Sequence, residues 1–350
     1  MASTTGRTEA LRRFAESALS DTDLAITVAS ADASFRSYWR VTGAHGTRIV
    51  MDAPPDKEEL DPWLDVGARL RAAGLHTPYV FATDAARGFV LMEDLGVRTY
   101  LPELDTQSAD RLYGDALEAL LWMQTRVDTR GLQLFSRTHL VAEMALMPPW
   151  FLQRHLGIVL RPDQLAVIDR AFEFIAASAR DQPHVFMHRD YHSRNLLVID
   201  TDTSGIQTPS LRNPGIIDFQ GAFVGPITYD LASLLRDCYI EWDGTRVDTW
   251  MESHRLRLRD ERTIDRDVDL MRFRRWFDLT GLQRHIKVLG IFCRLWYRDG
   301  KVQYLADLPL VRRYVVGVAS RYPELAAFVA LLERARANRD LTVSRPESGA

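Results

Sequence analysis

Two aspartates and an asparagine, Asp190, Asn195 and Asp218, stand in the spacing used by metal-assisted phosphoryl transfer. In the run His188-Arg189-Asp190-Tyr191-His192-Ser193-Arg194-Asn195 the aspartate precedes the asparagine by five positions. This is the H-R-D-x-x-x-x-N arrangement, in which the carboxylate orients a substrate hydroxyl and accepts its proton while the asparagine holds Mg²⁺. Asp190 takes the first role and Asn195 the second. The apolar runs Leu196 to Ile199 and Gly215 to Ile217 read as short buried strands bracketing a turn. They would return Asp218, at the head of Asp218-Phe219-Gln220, to the same metal. Fixed oxygen ligands suit a triphosphate, because together with Mg²⁺ they neutralise its charge without first having to lose a proton. Any one of these residues alone reads as a turn former or a helix cap. The joint pattern favours catalysis. Asp200 to Pro214, rich in Thr, Ser, Asp and Pro, lengthens the hairpin and reads as an exposed insertion.

The elements that must position these residues form an α+β chain of 350 residues, 46% hydrophobic, long enough for two lobes. We expect a nucleotide-binding lobe over residues 1–95 and a helical lobe over 96–350 that carries the catalytic loop. Glu9 to Ser20 has helical spacing of apolar residues. Leu24 to Ala29, Tyr38 to Thr42, Thr47 to Met51, Tyr79 to Phe81 and Gly88 to Met92 read as five strands of an antiparallel sheet. The turn Ser30 to Ser37 has no glycine, yet Ser34 and Phe35 can offer backbone N–H groups to phosphates and Arg36 adds charge. Backbone groups at Glu93 and Leu95 are placed to meet an adenine edge. The third strand, Ile49-Val50-Met51-Asp52-Ala53-Pro54-Pro55, lacks the lysine expected at its end. Lys57, the sole lysine before Lys287, or one of Arg36, Arg40 and Arg48 must substitute, or metal and backbone hold the phosphates alone.

Glu58 to Ala73 reads as a helix stopped at Gly74. Further helices are expected over Ala109 to Arg126, Val141 to Leu156 and Pro162 to Ala179, and through most of Thr245 to Arg336. The eight arginines between Arg255 and Arg275 are interleaved with five acids and read as a solvated helical face. A net charge of −3 and a pI near 6.3 give no electrostatic reason to expect nucleic acid or an anionic membrane as partner. Cys238 and Cys293 lie beside large apolar residues and read as reduced, buried thiols. With no apolar leader and no run of the roughly 18 residues a membrane span needs, the expectation is a cytoplasmic monomer.

HRDYHSRN, IDFQ and GPITYDLASLLRD together resemble the aminoglycoside phosphotransferase superfamily of small-molecule kinases, whose fold is protein-kinase-like. Across Ala33 to Trp296 the chain is similar to that superfamily's anomeric kinases of N-acetylmuramate and N-acetylglucosamine, which act in peptidoglycan recycling. The resemblance implies ATP and Mg²⁺ as cofactors, Asp190 as base, and Asn195 and Asp218 as metal ligands. It also implies that His188 and Asp230 support the catalytic loop without binding metal. The missing strand lysine departs from the wider superfamily, although VMDAPP looks native to the amino-sugar group. Arg194, Arg236, Asp237, Tyr239, Trp242, Arg294 and Trp296 are the candidate sugar contacts, since aromatic faces stack on pyranose rings and an arginine pairs with a lactyl carboxylate. Core packing is the competing reading for Trp296. Two alternative functions stay open: a kinase of choline, an aminoglycoside or another alcohol, and a nucleotide-binding module without catalysis.

Overall fold

The computed structural model describes residues 4–31, 35–44, 46–199 and 210–346. They group into two compact units, residues 1–128 with 194–221, and residues 129–193 with 222–350. The chain passes from the second to the first between Ser193 and Arg194, inside HRDYHSRN, and returns after Gly221.

The first unit opens with helix α1 (Thr4–Leu19), followed by strands β1 (Ala25–Ala31), β2 (Ser37–Gly43) and β3 (Gly46–Asp52). Helix α2 (Asp61–Ala72), strands β4 (Val80–Asp84) and β5 (Phe89–Glu93), and helices α3 (Tyr100–Glu103) and α4 (Ala109–Arg126) complete it. The five strands form one antiparallel sheet in the order β1-β2-β3-β5-β4. Alternation along a strand sends Val41, Val50, Phe89 and Leu91 to one face, where Leu11, Phe14 and Ala15 of α1 cover them. Helix α2 begins at Asp61 rather than at Glu58, because Pro62 suits the first helical turn, where an N–H has no partner to lose. Glu58 is thereby left in the preceding turn.

Four residues of the later chain join this unit as a short ladder, Leu196–Leu197 pairing with Gly215–Ile216. Residues 200–209 of the expected insertion lie outside the described residues.

The second unit is mainly helical: α5 (Arg137–Met144), α6 (Pro162–Arg180), α7 (Tyr229–Leu235), α8 (Gly244–Asp260), α9 (Leu270–Tyr297), α10 (Leu308–Ala319) and α11 (Ala326–Arg336). A two-stranded ribbon pairs His184–Met187 with Phe223–Pro226. The single helix expected over Val141 to Leu156 is instead α5 followed by a π-helical turn, Pro148–His155. The consecutive prolines 148 and 149 lack the N–H groups that an unbroken α-helix needs there. Helix α9 is the axis of the core. Leu279, Leu282, Ile286, Leu289 and Cys293 pack into a cluster shared with α6, α10, α11 and the π-helical turn. The run Arg255 to Arg275 is not one solvated face. It spans the end of α8, a loop and the start of α9, and Arg255 is buried, donating to the Val268 carbonyl and to Glu252. Both cysteines are free and buried. Among the described residues no helix is long and apolar enough to cross a membrane.

Candidate active site

In the first unit, Asn195 and Asp218 meet. The Leu196–Leu197 and Gly215–Ile216 ladder is stitched to the rest of the unit by the Ile216 N–H on the His76 carbonyl at 2.8 Å and the Val198 N–H on the Arg98 carbonyl at 2.8 Å. Its open end is closed by the Ile217 N–H on the Asn195 carbonyl at 3.1 Å. This brings the Asn195 amide to the Asp218 carboxylate, Nδ2 to Oδ2, at 3.3 Å, while Gln220 Nε2 donates to the other carboxylate oxygen at 2.7 Å. Asp218 has a φ of +63°, a left-handed conformation that is uncommon for any residue but glycine and costs about 1 kcal/mol or more. Its neighbour Phe219 is the anchor. That ring is buried, 5.2 Å from the Trp63 ring, and lies so close over Gly67 that a Cβ there would stand 3.1 Å from it. The Asn195 amide and the Asp218 carboxylate, side by side, carry hard oxygen donors of the kind that suits a small divalent cation such as Mg²⁺.

The nucleotide-side candidates are held as follows. Ser34 lies outside the described residues. The Phe35 N–H donates to Glu58 at 3.1 Å and Arg36 pairs with the same carboxylate at 3.5 Å, so Glu58 has an arginine partner where a strand lysine was missing. Lys57 stands over the Phe35 ring at 4.7 Å, Arg48 over Phe81 at 4.6 Å, and Arg40 makes two bonds to Asp94, the shorter 2.5 Å. Glu93 takes His76 at 3.1 Å and the Tyr79 N–H at 3.1 Å, and Leu95 is buried.

In the second unit the loop before the crossing is fixed by three carboxylates. Asp230, in the first turn of α7, accepts the backbone N–H of His188 at 2.6 Å and of Arg189 at 2.9 Å. Asp237 accepts the Ser193 N–H at 3.0 Å and its hydroxyl at 2.5 Å. Glu143 accepts the Arg189 guanidinium at 2.6 Å. Asp190 lies between these anchors, and its own N–H donates to His188 Nδ1 at 3.3 Å. Burial pushes the Asp190 carboxyl up, but the charges of Lys287, His192, Arg284 and Arg189 outweigh it and hold the group below the ordinary aspartate range. The carboxylate is therefore ionised at neutral pH and ready to accept a proton.

The candidate sugar contacts fall into two kinds. Arg236 and Asp237 are already engaged, Arg236 in a buried pair with Asp278 at 2.6 Å and Asp237 on Ser193. Tyr239, half-buried, lies 5.7 Å from the His192 ring and stacks on Phe292. Trp242 meets Trp250 edge to face at 5.8 Å. Arg194, Arg294 and Trp296 are half-buried, and Trp296 packs against the core of its unit.

Sequence reasoning missed Glu143, Gln283, Arg284 and Lys287, all buried in the second unit. Arg284 is 5% exposed, lies over the Tyr229 ring at 5.4 Å, and its Nε and Nη1 have no hydrogen-bond partner among the described residues. The signal was present in the chain: Gln283, Arg284 and Lys287 lie among the apolar residues Leu279, Leu282, Ile286, Val288 and Leu289 of α9, where charge survives only with a partner or a task.

Residues 25–266 match the model of the phosphotransferase enzyme family. The N-acetylmuramate/N-acetylglucosamine kinase of Pseudomonas aeruginosa is 41% identical over 305 residues, covering 87% of this chain and 86% of that one. Its namesake in Pseudomonas putida is 38% identical over 312 residues, covering 89% and 88%. A choline kinase from Cryptosporidium parvum shares the fold at a TM-score of 0.60 and 10% identity, covering 93% of this chain and 99% of its own. With the catalytic-loop residues, the family match and the fold in agreement, this chain belongs to the phosphotransferase enzyme family.

Proposed function

We propose that the chain is an ATP-dependent, Mg²⁺-requiring kinase that phosphorylates the anomeric C1 hydroxyl of N-acetylmuramate and N-acetylglucosamine to give sugar 1-phosphates for cell-wall recycling. The observation that carries the reaction class is the loop around Asp190, pinned on both sides by Asp230 and Asp237 with its carboxylate kept ionised. The names of the relatives support the choice of sugar. Residues 1–95 would hold the nucleotide.

In this reading Asp190 takes the proton of the acceptor hydroxyl as its oxygen attacks the γ-phosphorus, and the bond to the bridging oxygen breaks to release ADP. Asn195 and Asp218 would hold the metal, which supplies charge neutralisation on the phosphates. His188 and Asp230 keep the loop in shape. The anomeric hydroxyl is the most acidic on a reducing sugar because the ring oxygen withdraws electron density from C1, so an aspartate suffices as base. Acceptor contacts would come from Tyr239, Trp242, Arg194 and Arg294.

The test is ADP release, with and without Mg²⁺, across a panel of N-acetylmuramate, N-acetylglucosamine, choline and an aminoglycoside. Turnover confined to the two amino sugars is the expected result. Turnover of choline or the aminoglycoside alone would transfer the chain to another branch of the family, and none with any acceptor would favour a non-catalytic module.

A further inference from the structure

Arg189, the residue before Asp190, has a φ of +80°, in a region that costs a non-glycine residue about 1–3 kcal/mol. Such a conformation persists where the surroundings impose it, and here both ends of the residue are held. Its N–H is bound by Asp230, and its guanidinium by Glu143 Oε1 through Nη2 at 2.6 Å and Nε at 3.2 Å. Glu143 in turn is gripped from α9 by Lys287 Nζ at 2.9 Å and Gln283 Nε2 at 3.2 Å, and from α7 by the Tyr229 hydroxyl at 3.5 Å. Glu143 and Lys287 are 9% and 8% exposed.

Stability does not explain this hub. Desolvating a carboxylate and an ammonium costs several kcal/mol per ion, and well-packed apolar residues of the same size do as well or better. What an apolar set cannot do is hold a guanidinium by two bonds in a fixed plane. Every donor around Glu143 also restricts the one side chain that carries Arg189, and Arg189 is covalently next to the reacting carboxylate.

We propose that Glu143, held by Lys287, is a positioning residue: it locks the strained Arg189 and so fixes the aim of the Asp190 carboxylate at the acceptor hydroxyl. This rests on the reading of Asp190 as the base. Glu143 touches neither substrate nor nucleotide in this scheme and acts only through the loop.

A double-mutant cycle tests it. Glu143→Gln keeps the shape of the hub and removes its charge. It should lower kcat about 10-fold to 10²-fold while leaving KM for sugar and ATP within about twofold, because only the aim of the base is disturbed. In the Asp190→Asn background, itself slower by about 10²-fold or more, the same change should cost almost nothing further, since there is no base left to aim. Arg189→Met removes the contact from the loop side, leaves the Glu143 and Lys287 pair intact, and should reproduce the kcat loss even if Glu143→Gln folds poorly. Parental kcat in folded Arg189→Met protein, or losses that add in full on the Asp190→Asn background, overturns the inference. Near-parental turnover by Asp190→Asn alone instead overturns the assignment of the base.

Discussion

The Asn195 side chain donates to the Asp218 carboxylate at 3.3 Å across 23 positions of sequence. The pairing is built by local means: one two-residue ladder, one backbone bond from Ile217 back to Asn195, and the Phe219 ring wedged against Trp63 and Gly67. Each holds one end of the pair, so the two side chains meet although they are far apart in sequence.

With Asp218 as a metal ligand, Asp218→Ala should weaken the affinity for Mg²⁺ and slow turnover together. The expected outcome is a right-shifted Mg²⁺ titration and a kcat lower by about 10²-fold. Because Phe219 and the ladder are untouched, the melting temperature should stay close to the parent's. An unshifted Mg²⁺ titration would remove Asp218 from the metal site.

Packing in the second unit makes a paired prediction about glycines. A Cβ on Gly290, in α9, would stand 2.4 Å from the backbone carbonyl carbon of Leu146 and 2.6 Å from its oxygen. Helix and segment can sit this close only if the residue has no side chain. Gly290→Ala should destabilise the fold by about 1–3 kcal/mol despite alanine's better helix propensity. Gly114, exposed on α4 with nothing within 4 Å of its would-be Cβ, should respond in the opposite sense, Gly114→Ala stabilising by up to about 1 kcal/mol. Urea unfolding of the two variants checks the pair, and equal effects would contradict the close contact of α9 with Leu146.

Two histidines set the acid limit. His254 and His285 are buried, and burial, reinforced by Arg257 for the first and by Arg284 and Arg236 for the second, drives each down to about 3. His285 donates from Nε2 to the Arg236 carbonyl at 2.8 Å, which suits the neutral ring. A folded-state value below the unfolded 6.5 means that the unfolded chain binds the protons first. The stabilisation is thus complete above pH 6.5 and is lost as pH falls from there toward 3. With the slope rising toward about 1.4 kcal/mol per unit per group below 6.5, the two together forfeit about 3 kcal/mol between pH 6.5 and 5. Denaturant melts at pH 7 and pH 5 should show this drop. The double variant His254→Gln, His285→Gln should show a shallower one, and parallel slopes for parent and variant would contradict it.

Much of the candidate site's local geometry was legible because it is encoded locally. Asp190 and Asn195 share one loop, the apolar runs after them announce the ladder that brings Asp218 back, and strand alternation marked all five strands of the sheet. The support beneath the loop was not legible on its own. Asp230 entered only by resemblance, and Glu143 and Lys287 are 144 positions apart, as their numbers show, on helices whose periodicity gives burial but not partner. Asp237 was read as a sugar contact from its residue type, and the short bond it makes to Ser193 becomes visible only once α7 is folded. The break at Pro148 and Pro149 was readable, since both residues lack an N–H, yet the apolar spacing on either side masked it.

Phosphorus NMR of the purified product identifies the hydroxyl that receives the phosphate. With N-acetylmuramate or N-acetylglucosamine and ATP, phosphorylation at C1 gives a single new phosphomonoester whose phosphorus couples to the anomeric proton, and no product from the methyl glycoside of either sugar. A phosphorus coupled to the C6 protons, or turnover of a methyl glycoside, would contradict it.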